Sequence, residues 1–330
     1  MQEKIQVIGV GSPIIDLIAR IDDSVLHEIS GEKGGMELID DEKMGSILEL
    51  LSDEPVKTPG GSAGNTTFAL AQLGFSCAFL GKLGDDSNGA YYRTSFKQSG
   101  GDSSRFKTDT GLPSASCISL VTPDGERTMR THLGAAMTLA PEEITADDFK
   151  GCGHAHIEGY LLFNRELLFA VLSAAKEGGC TVSLDLGSFE VVNAASDILP
   201  DLLDRYVDII FANEDETESF CGDCDPQVGL ERLSEHCECT AVKIGKDGAW
   251  IKSGGDVVHT SAISVESVID TTGAGDFWAA GFLYGYLNGR SPSVCGKFGS
   301  ILGGNVVQYP GTSLPNDVWD CIREEIALVQ

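Results

Sequence analysis

Basic side chains are scarce in this chain. Only 23 Lys and Arg stand against 50 Asp and Glu among 330 residues, so the net charge is −27 with the six His neutral. A protein that binds nucleic acid needs a basic face to displace counterions from phosphates, and this balance argues against one. It also argues against binding to an anionic membrane surface. With 42% hydrophobic residues, the composition is that of an ordinary globular protein with a large core.

Long hydrophobic runs are absent too. No stretch approaches the roughly 18 consecutive apolar residues of a membrane-spanning helix. The first residues, Met1–Val7, lack the charged and then apolar pattern of a secretion signal. We therefore expect a cytoplasmic protein whose ten cysteines are reduced. One group leaves two interpretations open, a zinc site or thiols that pack or remain free: Cys221, Cys224, Cys237 and Cys239, with His236 among them.

The hydrophobic pattern alternates between strand-like and helix-like periods. Short apolar runs predict strands at 5–10, 76–80, 154–158, 181–185, 207–212, 240–244 and 249–252. Between and after them, helical patterns occur at 40–51, 61–73, 88–98, 165–176, 201–206, 214–220, 275–288 and 293–308, with a last amphipathic helix ending near 329. Strands separated by helices imply right-handed crossovers. The sequence thus predicts an α/β fold with a mostly parallel sheet covered on both faces.

A second pattern interrupts the first 133 residues. Residues 114–133 have period two around the turn Thr122–Gly125, which predicts an antiparallel hairpin. Such pieces do not fit a parallel core. We predict that insertions at about 14–40 and 105–133 form a small β-sheet lid. No linker or repeat divides the chain, so residues 1–330 are expected to be one lidded domain.

The strongest motif is Asp270-Thr-Thr-Gly-Ala-Gly-Asp276 before an apolar helix. Glycines at a helix start let backbone N–H groups and the helix dipole hold an anionic oxygen. Asp276, in the first turn, could accept a proton from an attacking hydroxyl during phosphoryl transfer. A lone Asp at this place would more often cap the helix. Gly273, Gly275 and the second acid Asp270 favour the catalytic interpretation.

A second glycine-rich segment, Pro59-Gly-Gly-Ser-Ala-Gly-Asn65, also opens a helix. Gly60 and Gly61 permit close approach of a ligand, and Asn65 offers a donor and an acceptor to hydroxyl groups. No Gly-Lys-Ser/Thr follows, so this is not a Walker loop.

Together the two segments resemble the signature motifs of the PfkB-type (ribokinase-like) sugar and nucleoside kinases. The first, Gly-Gly-x-x-x-Asn-x-x-x-Ala-x-x-Leu-Gly, matches residues 60–74 with one extra position, and the second matches 270–276 without a gap. The resemblance implies a three-layer ribokinase-like core, a β-sheet lid, and the use of ATP and Mg²⁺. It also allows a homodimer.

The resemblance implies roles for further residues. Gly273, Ala274 and Gly275 would form the anion hole beside Asp276. Asn213 and Glu216 look like the family's Asn-x-x-Glu motif, which holds Mg²⁺ and phosphate through water; an acidic helix start is the alternative. The other expected positions are Lys243, Gly245, Gly248 and Asn305 for the nucleotide, and Asp270 and Thr272 for a metal, K⁺ in many members.

The acceptor is indicated by three further positions. Asp16, in Pro-Ile-Ile-Asp, resembles the acid that holds two sugar hydroxyls in adenosine kinases; a turn Asp is the alternative. Arg127 resembles a lid arginine that reaches the transferring phosphate, although it could be a solvated edge residue. Glu158 is expected either to face the acceptor or to end a strand without a ligand. These positions predict an ATP-dependent kinase acting on a nucleoside 5′-OH, adenosine first. A ribokinase- or fructokinase-type sugar kinase is the alternative, and a non-catalytic binding homologue is a further one.

Overall fold

The computed structural model describes residues 5–29, 33–124 and 126–329. The strands in this part of the chain are β1 (Ile5–Val10), β2 (Ile14–Arg20), β3 (Met36–Leu38), β4 (Val56–Gly60), β5 (Cys77–Leu80), β6 (Lys82–Gly84), β7 (Lys107–Asp109), β8 (Ser116–Val121), β9 (Arg127–His132), β10 (Cys152–Glu158), β11 (Thr181–Asp185), β12 (Ile209–Asn213), β13 (Cys239–Lys243), β14 (Ala249–Ser253) and β15 (Asp256–Thr260). The helices are α1 (Asp23–Leu26), α2 (Asp41–Leu50), α3 (Ser62–Gln72), α4 (Ser87–Gln98), α5 (Arg165–Glu177), α6 (Phe189–Ala195), α7 (Leu199–Tyr206), α8 (Glu214–Cys221), α9 (Pro226–Leu233), α10 (Ala274–Leu287), α11 (Pro292–Val306) and α12 (Asn316–Leu328).

Eight strands form the large sheet, in the order β15-β14-β13-β12-β11-β10-β1-β5. Neighbouring strands from β13 to β5 are parallel, and β14 and β15 add an antiparallel edge. Apolar side chains are buried on both faces of the central strands: Val7 and Ile8 are neighbours in β1, fully buried, and belong to different hydrophobic clusters. The predicted α/β fold with a mostly parallel sheet is confirmed.

The two clusters separate the helices into layers. One contains buried residues of α3, α10, α11 and α12, and the other contains buried residues of α5, α6 and α7. The site lies where the parallel strands β11, β12 and β13 end, because the crevice outside the carboxyl ends of such strands is open between the loops. Among the described residues, no helix is long and apolar enough to cross a membrane.

A separate five-stranded sheet has the order β3-β9-β8-β2-β4. It draws strands from both predicted insertions and includes the predicted hairpin, β8–β9. The sequence did not predict β4, which immediately precedes the glycines at 60 and 61 and pairs with β2. One face of this sheet is buried against α1 and α2, through residues such as Ile15, Leu17 and Met44. Gly125, in the predicted turn, lies outside the described residues.

Candidate active site

Asp276 lies in the first turn of α10 and receives two hydrogen bonds from α3. Ser62 Oγ donates to Oδ1 and Asn65 Nδ2 donates to Oδ2, each over 2.8 Å. Burial raises the pKa of Asp276 to about 6, and the nearby carboxylate of Asp185 adds to the rise. The two hydrogen bonds and Lys243 oppose it. A carboxylate with this pKa is ionised at neutral pH and can accept a proton from an alcohol.

The start of α10 is the predicted anion hole. Gly273 precedes the helix with a φ of 72°, a left-handed conformation that glycine adopts without strain. Ala274 and Gly275 follow, so their N–H groups lie among the first four of the helix, which have no partner within it. Ala274 N donates to the carbonyl of Thr271, just before the helix, over 3.2 Å. A Cβ atom on Gly275 would be 3.1 Å from Lys243 Nζ, which places the ammonium directly behind the hole.

Lys243 ends β13 and is paired with Asp185, at the end of β11, over 2.8 Å. Burial lowers the pKa of Lys243, but Asp185 and Glu216 outweigh burial, so that the net shift is upward. Lys243 is therefore a permanent cation inside an acidic cleft. The cleft has a volume of about 320 Å³ and is lined by these residues, the anion hole, and Asp16, Gly61, Asn65, Tyr160, Asn213 and Asp276.

Asn213 and Glu216 form a reciprocal cap at the start of α8. Asn213 Oδ1 accepts from Glu216 N, and Glu216 accepts from the backbone and side-chain N–H groups of Asn213, all over 2.9 Å. Burial and the neighbouring Asp185 raise the pKa of Glu216. This cap is compatible with the predicted binding of Mg²⁺ and phosphate, because each carboxylate oxygen of Glu216 has a second lone pair.

Asp16 stands across the cleft from Asp276, on β2 of the small sheet. Burial raises its pKa to about 7 against the opposing charge of Arg127, and Asp270 and Asp276 add to the rise. A Cβ atom on Gly60 would overlap its carboxylate. Gly61 has a φ of 87°, and a Cβ there would overlap the carbonyl oxygen of Ser12. Both glycines therefore allow close approach of other parts of the chain, and the predicted close approach of a ligand stays a prediction.

Two residues predicted to touch the acceptor are hydrogen-bonded within the protein. Asn65 lines the cleft, and its side-chain N–H group donates to Asp276, so it orients that carboxylate. Glu158 is 1% exposed and is not part of the cleft lining; it accepts hydrogen bonds from Ser12 N (2.8 Å) and Ala63 N (3.2 Å). Contact of Glu158 with the acceptor stays a prediction. In the structure, its carboxylate joins the segments of Ser12 and Ala63 because it accepts from their backbone amides.

Arg127 is not directed at the anion hole. Its guanidinium contacts both oxygens of Asp270 (2.6 Å) and Thr272 Oγ1, and it donates from Nε to Ser119. At the place expected for K⁺, beside Asp270 and Thr272, the structure has this guanidinium. Burial raises the pKa of Asp270. The amides of Gly311 and Thr272 and the charge of Arg127 lower it by more than burial raises it, so the net shift is downward. A planar guanidinium pairs well with a carboxylate, which explains why Arg127 binds Asp270 here.

A second cavity, of about 400 Å³, adjoins the anion hole on its other side. Gly245 and Gly248 line it, and so do Lys243 and Gly275, which also line the cleft. Asn305 does not: its amide donates to the carbonyl of Ile301 within α11, while Gly303, Gly304 and Val307 form the wall. The end of α11 therefore lines the cavity as predicted, but through these residues and not through Asn305.

The four cysteines of the open zinc interpretation do not converge. Cys237 and Cys239 are both buried but belong to different hydrophobic clusters, and Cys224 is exposed. His236 bonds Asp204 instead. Within residues 5–29, 33–124 and 126–329, no group of three or more His, Cys, Asp or Glu is arranged to hold a metal.

Asp16 lies on the face of the small sheet opposite to the one that carries Ile15 and Leu17. Directly paired residues point to the same face, and Asp16 pairs with Cys117, Cys117 with Thr131, and Thr131 with Leu38. Two residues along each strand, the same face carries Ile18, Ser119, Met129 and Met36. Cys117, Ser119 and Thr131 on this face are buried, whereas Met36 and Leu38, on the edge strand β3, are 56% and 58% exposed.

Sequence reasoning missed Ser62 and Asp185. Asp185 ends a buried strand, and a polar residue at the carboxyl end of a parallel strand is a usable signal for the ligand crevice. Ser62 lies inside the first glycine-rich motif, but no pattern in the sequence assigns its hydroxyl to Asp276.

A family model described as pfkB family carbohydrate kinase matches residues 36–319. The chain belongs to the PfkB family. A crystal structure of adenosine kinase from Sinorhizobium meliloti is 33% identical and covers 98% of this chain and 100% of its own, with a TM-score of 0.87. The structural similarity confirms the ribokinase-like fold, and the family membership identifies the chain as a phosphotransferase acting on an alcohol group.

The PfkB relatives differ in their acceptors. Aminoimidazole riboside kinase of Salmonella typhimurium is 31% identical over 238 residues, 69% of this chain and 74% of its own length. Fructokinase of Klebsiella pneumoniae is 30% identical over 259 residues, 73% of this chain and 81% of its own. Overall similarity therefore establishes a sugar or nucleoside kinase, and the acceptor must be argued from the site.

Proposed function

We propose that this chain is an ATP-dependent nucleoside kinase that phosphorylates the 5′-OH of a ribonucleoside, with adenosine as the first candidate. The observation that carries this choice is that the exposed apolar residues Met36 and Leu38 lie on the same face of the small sheet as Asp16. Exposed apolar groups that line a cleft favour a ligand with an apolar part.

The dimensions of the sheet favour a nucleoside over a free sugar. Asp16 suits a vicinal diol, because two carboxylate oxygens can accept two hydrogen bonds. Neighbouring strands are about 4.8 Å apart, and three such steps separate β2 from β3, so Leu38 lies about 14 Å across the sheet from Asp16. A sugar held at Asp16 would cover only the nearest strands, whereas a base attached to it would extend over Thr131 toward Leu38.

In the proposed reaction, Asp276 accepts the proton of the 5′-OH as the oxygen attacks the γ-phosphorus of ATP, and the bond from that phosphorus to the β–γ bridging oxygen breaks, so that ADP leaves. The amides of Gly273, Ala274 and Gly275 hold the developing charge on the transferred group, and Lys243 adds a fixed positive charge behind them. Asn65 and Ser62 keep the carboxylate of Asp276 oriented.

The residues present fit Mg²⁺. Glu216 and Asn213 offer oxygens at the cleft, and Mg²⁺ needs only one or two carboxylates besides water and phosphate oxygens. When bound, the ion neutralises phosphate charge and orients the phosphates. We also propose that the five-stranded sheet acts as a lid whose closure excludes water from the cleft.

The acceptor is tested by thermal shift and by phosphate transfer from MgATP, with a panel of ribonucleosides, ribose and fructose. We expect a nucleoside to raise the unfolding temperature and to be phosphorylated. Turnover of ribose or fructose without turnover of any nucleoside would refute the nucleoside proposal and leave the kinase assignment intact.

A pair of lid variants tests the apolar face itself. Leu38→Glu should raise KM for the nucleoside at least tenfold, because it puts a charge where the base is expected to lie. The matched control is Val56→Glu, which changes an exposed apolar residue of the same face on the other side of Asp16. Equal effects of the two variants would contradict the proposed position of the base.

A further inference from the structure

The cavity of about 400 Å³ beside the start of α10 has several apolar walls. Its walls include Ile263, Val265, Val268 and Val307. A Cβ atom on Gly304 would overlap Ile263, so the absence of a side chain there lets α11 approach the 261–268 segment. The cavity shares Lys243, Thr271, Ala274 and Gly275 with the cleft. A phosphate chain held at the anion hole would thus place its nucleoside end here.

Most polar side chains of this cavity are exposed or paired, but one that lies deeper is buried and has no partner within the part of the chain that the structure describes. Lys246 and Thr271 are exposed at the mouth, and Lys243 is paired with Asp185. Deeper, Ser300 is 4% exposed, lines the cavity, and its hydroxyl has no hydrogen-bond partner among the described residues. Burying a hydroxyl without a partner costs free energy, so a buried group of this kind calls for an explanation.

Of the other unpartnered polar atoms in the described part of the chain, one belongs to a residue that also lines this cavity, Trp278. Thr240 and Thr260 also have buried hydroxyls without a partner in the described part of the chain, but neither lines the cavity. The indole N–H of Trp278 is unpartnered too. However, the ring packs against α11, where a Cβ atom on Gly299 would be 2.7 Å from its Cε2 atom. Ser300 is thus the deep hydroxyl that a bound group can reach.

We propose that Ser300 reads the base of the phosphoryl donor: its hydroxyl donates a hydrogen bond to a ring nitrogen of the purine. The inference rests on the proposed use of ATP. Purine ring nitrogens are acceptors, and the apolar walls leave the base few other polar side chains to bind. The bond supplies the missing partner of the hydroxyl, and it forms only when the donor is bound.

The test compares Ser300→Ala with Thr260→Val as the matched control, because each removes a buried unpartnered hydroxyl and only Ser300 lines the cavity. Calorimetry should show that Ser300→Ala weakens MgATP binding roughly 3- to 10-fold, the effect of one hydrogen bond. Neither variant should lower the unfolding temperature of the nucleotide-free protein, since neither hydroxyl has a partner there. MgATP affinity unchanged in Ser300→Ala, or reduced equally in Thr260→Val, would overturn the proposal.

Deaza analogues of ATP identify the atom. Wild-type protein should bind one of 1-deaza-ATP, 3-deaza-ATP and 7-deaza-ATP more weakly than ATP, and Ser300→Ala should lose that difference. A difference that persists in Ser300→Ala would assign the contact to another group and overturn the role of Ser300. Failure of the wild type to bind MgATP or to transfer its phosphate would instead refute the proposed donor. The two failures are therefore distinguishable.

Discussion

Asp276→Asn should remove phosphoryl transfer and at the same time stabilise the protein at alkaline pH. The substitution keeps the shape of the side chain and removes its charge. A pKa of about 6 in place of the ordinary 3.8 means that ionising Asp276 in the folded protein costs about 3 kcal/mol at pH 8. Because folding raises this pKa, the cost is absent below pH 3.8, where Asp276 is protonated in the folded and the unfolded protein. The cost grows as the pH rises and is complete above pH 6. Asn does not ionise and avoids this cost.

Hydrogen bonding reduces the gain. The carboxylate accepts from Ser62 and Asn65, whereas the amide of the variant offers one acceptor oxygen unless Asn65 turns its own amide. Losing one such bond costs about 1 kcal/mol. We therefore expect Asp276→Asn to be about 2 kcal/mol more stable than wild type at pH 8, with the gain vanishing near pH 4.

Activity should move in the opposite direction. Without its base, kcat should fall about 10²- to 10⁴-fold while MgATP still binds. Urea unfolding at pH 8 and pH 4 measures stability, and phosphate transfer at saturating substrates measures kcat. The control is Asp256→Asn, an exposed residue of β15, which should change neither. Near wild-type turnover would refute the catalytic role, and a loss of stability at pH 8 would refute the electrostatic reasoning.

The site also makes three shorter predictions. Since Asp276 must be ionised to act, kcat/KM should fall as the pH drops through about 6, and a flat profile down to pH 5 would contradict its role as base. Gly61→Ala should lower the free energy of unfolding by clearly more than the ~1–2 kcal/mol cost of a left-handed alanine, because its Cβ overlaps Ser12. Gly74→Ala is the control, with a φ of 91° and no atom within 4 Å of the added Cβ; equal losses in urea unfolding would show that the overlap is relieved. Finally, ATP should bind at least tenfold more weakly when EDTA removes Mg²⁺, because the chain carries a net charge of −27 and the cleft is lined by carboxylates; calorimetry showing equal affinity would contradict this.

Local sequence patterns predicted much of the fold. The apolar run at β1 and the amphipathic pattern of α5 depend only on their own residues, so their periods were readable. Strand β4 was not predicted, because Val56–Gly60 contains a proline and a glycine. This segment forms a strand by pairing with β2.

The predictions for the site also succeeded for local features and failed for long-range contacts. The position of Asp276 after three small residues before a helix is a local feature, and it was predicted. The partners of Arg127 and Glu158 were not, because Asp270 and Ala63 are about 140 and 95 residues away along the chain. A charged side chain pairs with whatever the folded chain brings near, which sequence spacing does not encode.

The sequence by itself predicted an anion hole at the start of a helix and a carboxylate beside it, because these depend on glycine conformations and helix geometry, which are local. Its resemblance to the family added the predicted diol-binding acid, Asp16. Only the tertiary structure decided which groups meet. It paired Arg127 with Asp270 and turned Asn65 toward Asp276. It also aligned Leu38 with Asp16 across four strands, because sheet register is set by long-range pairing.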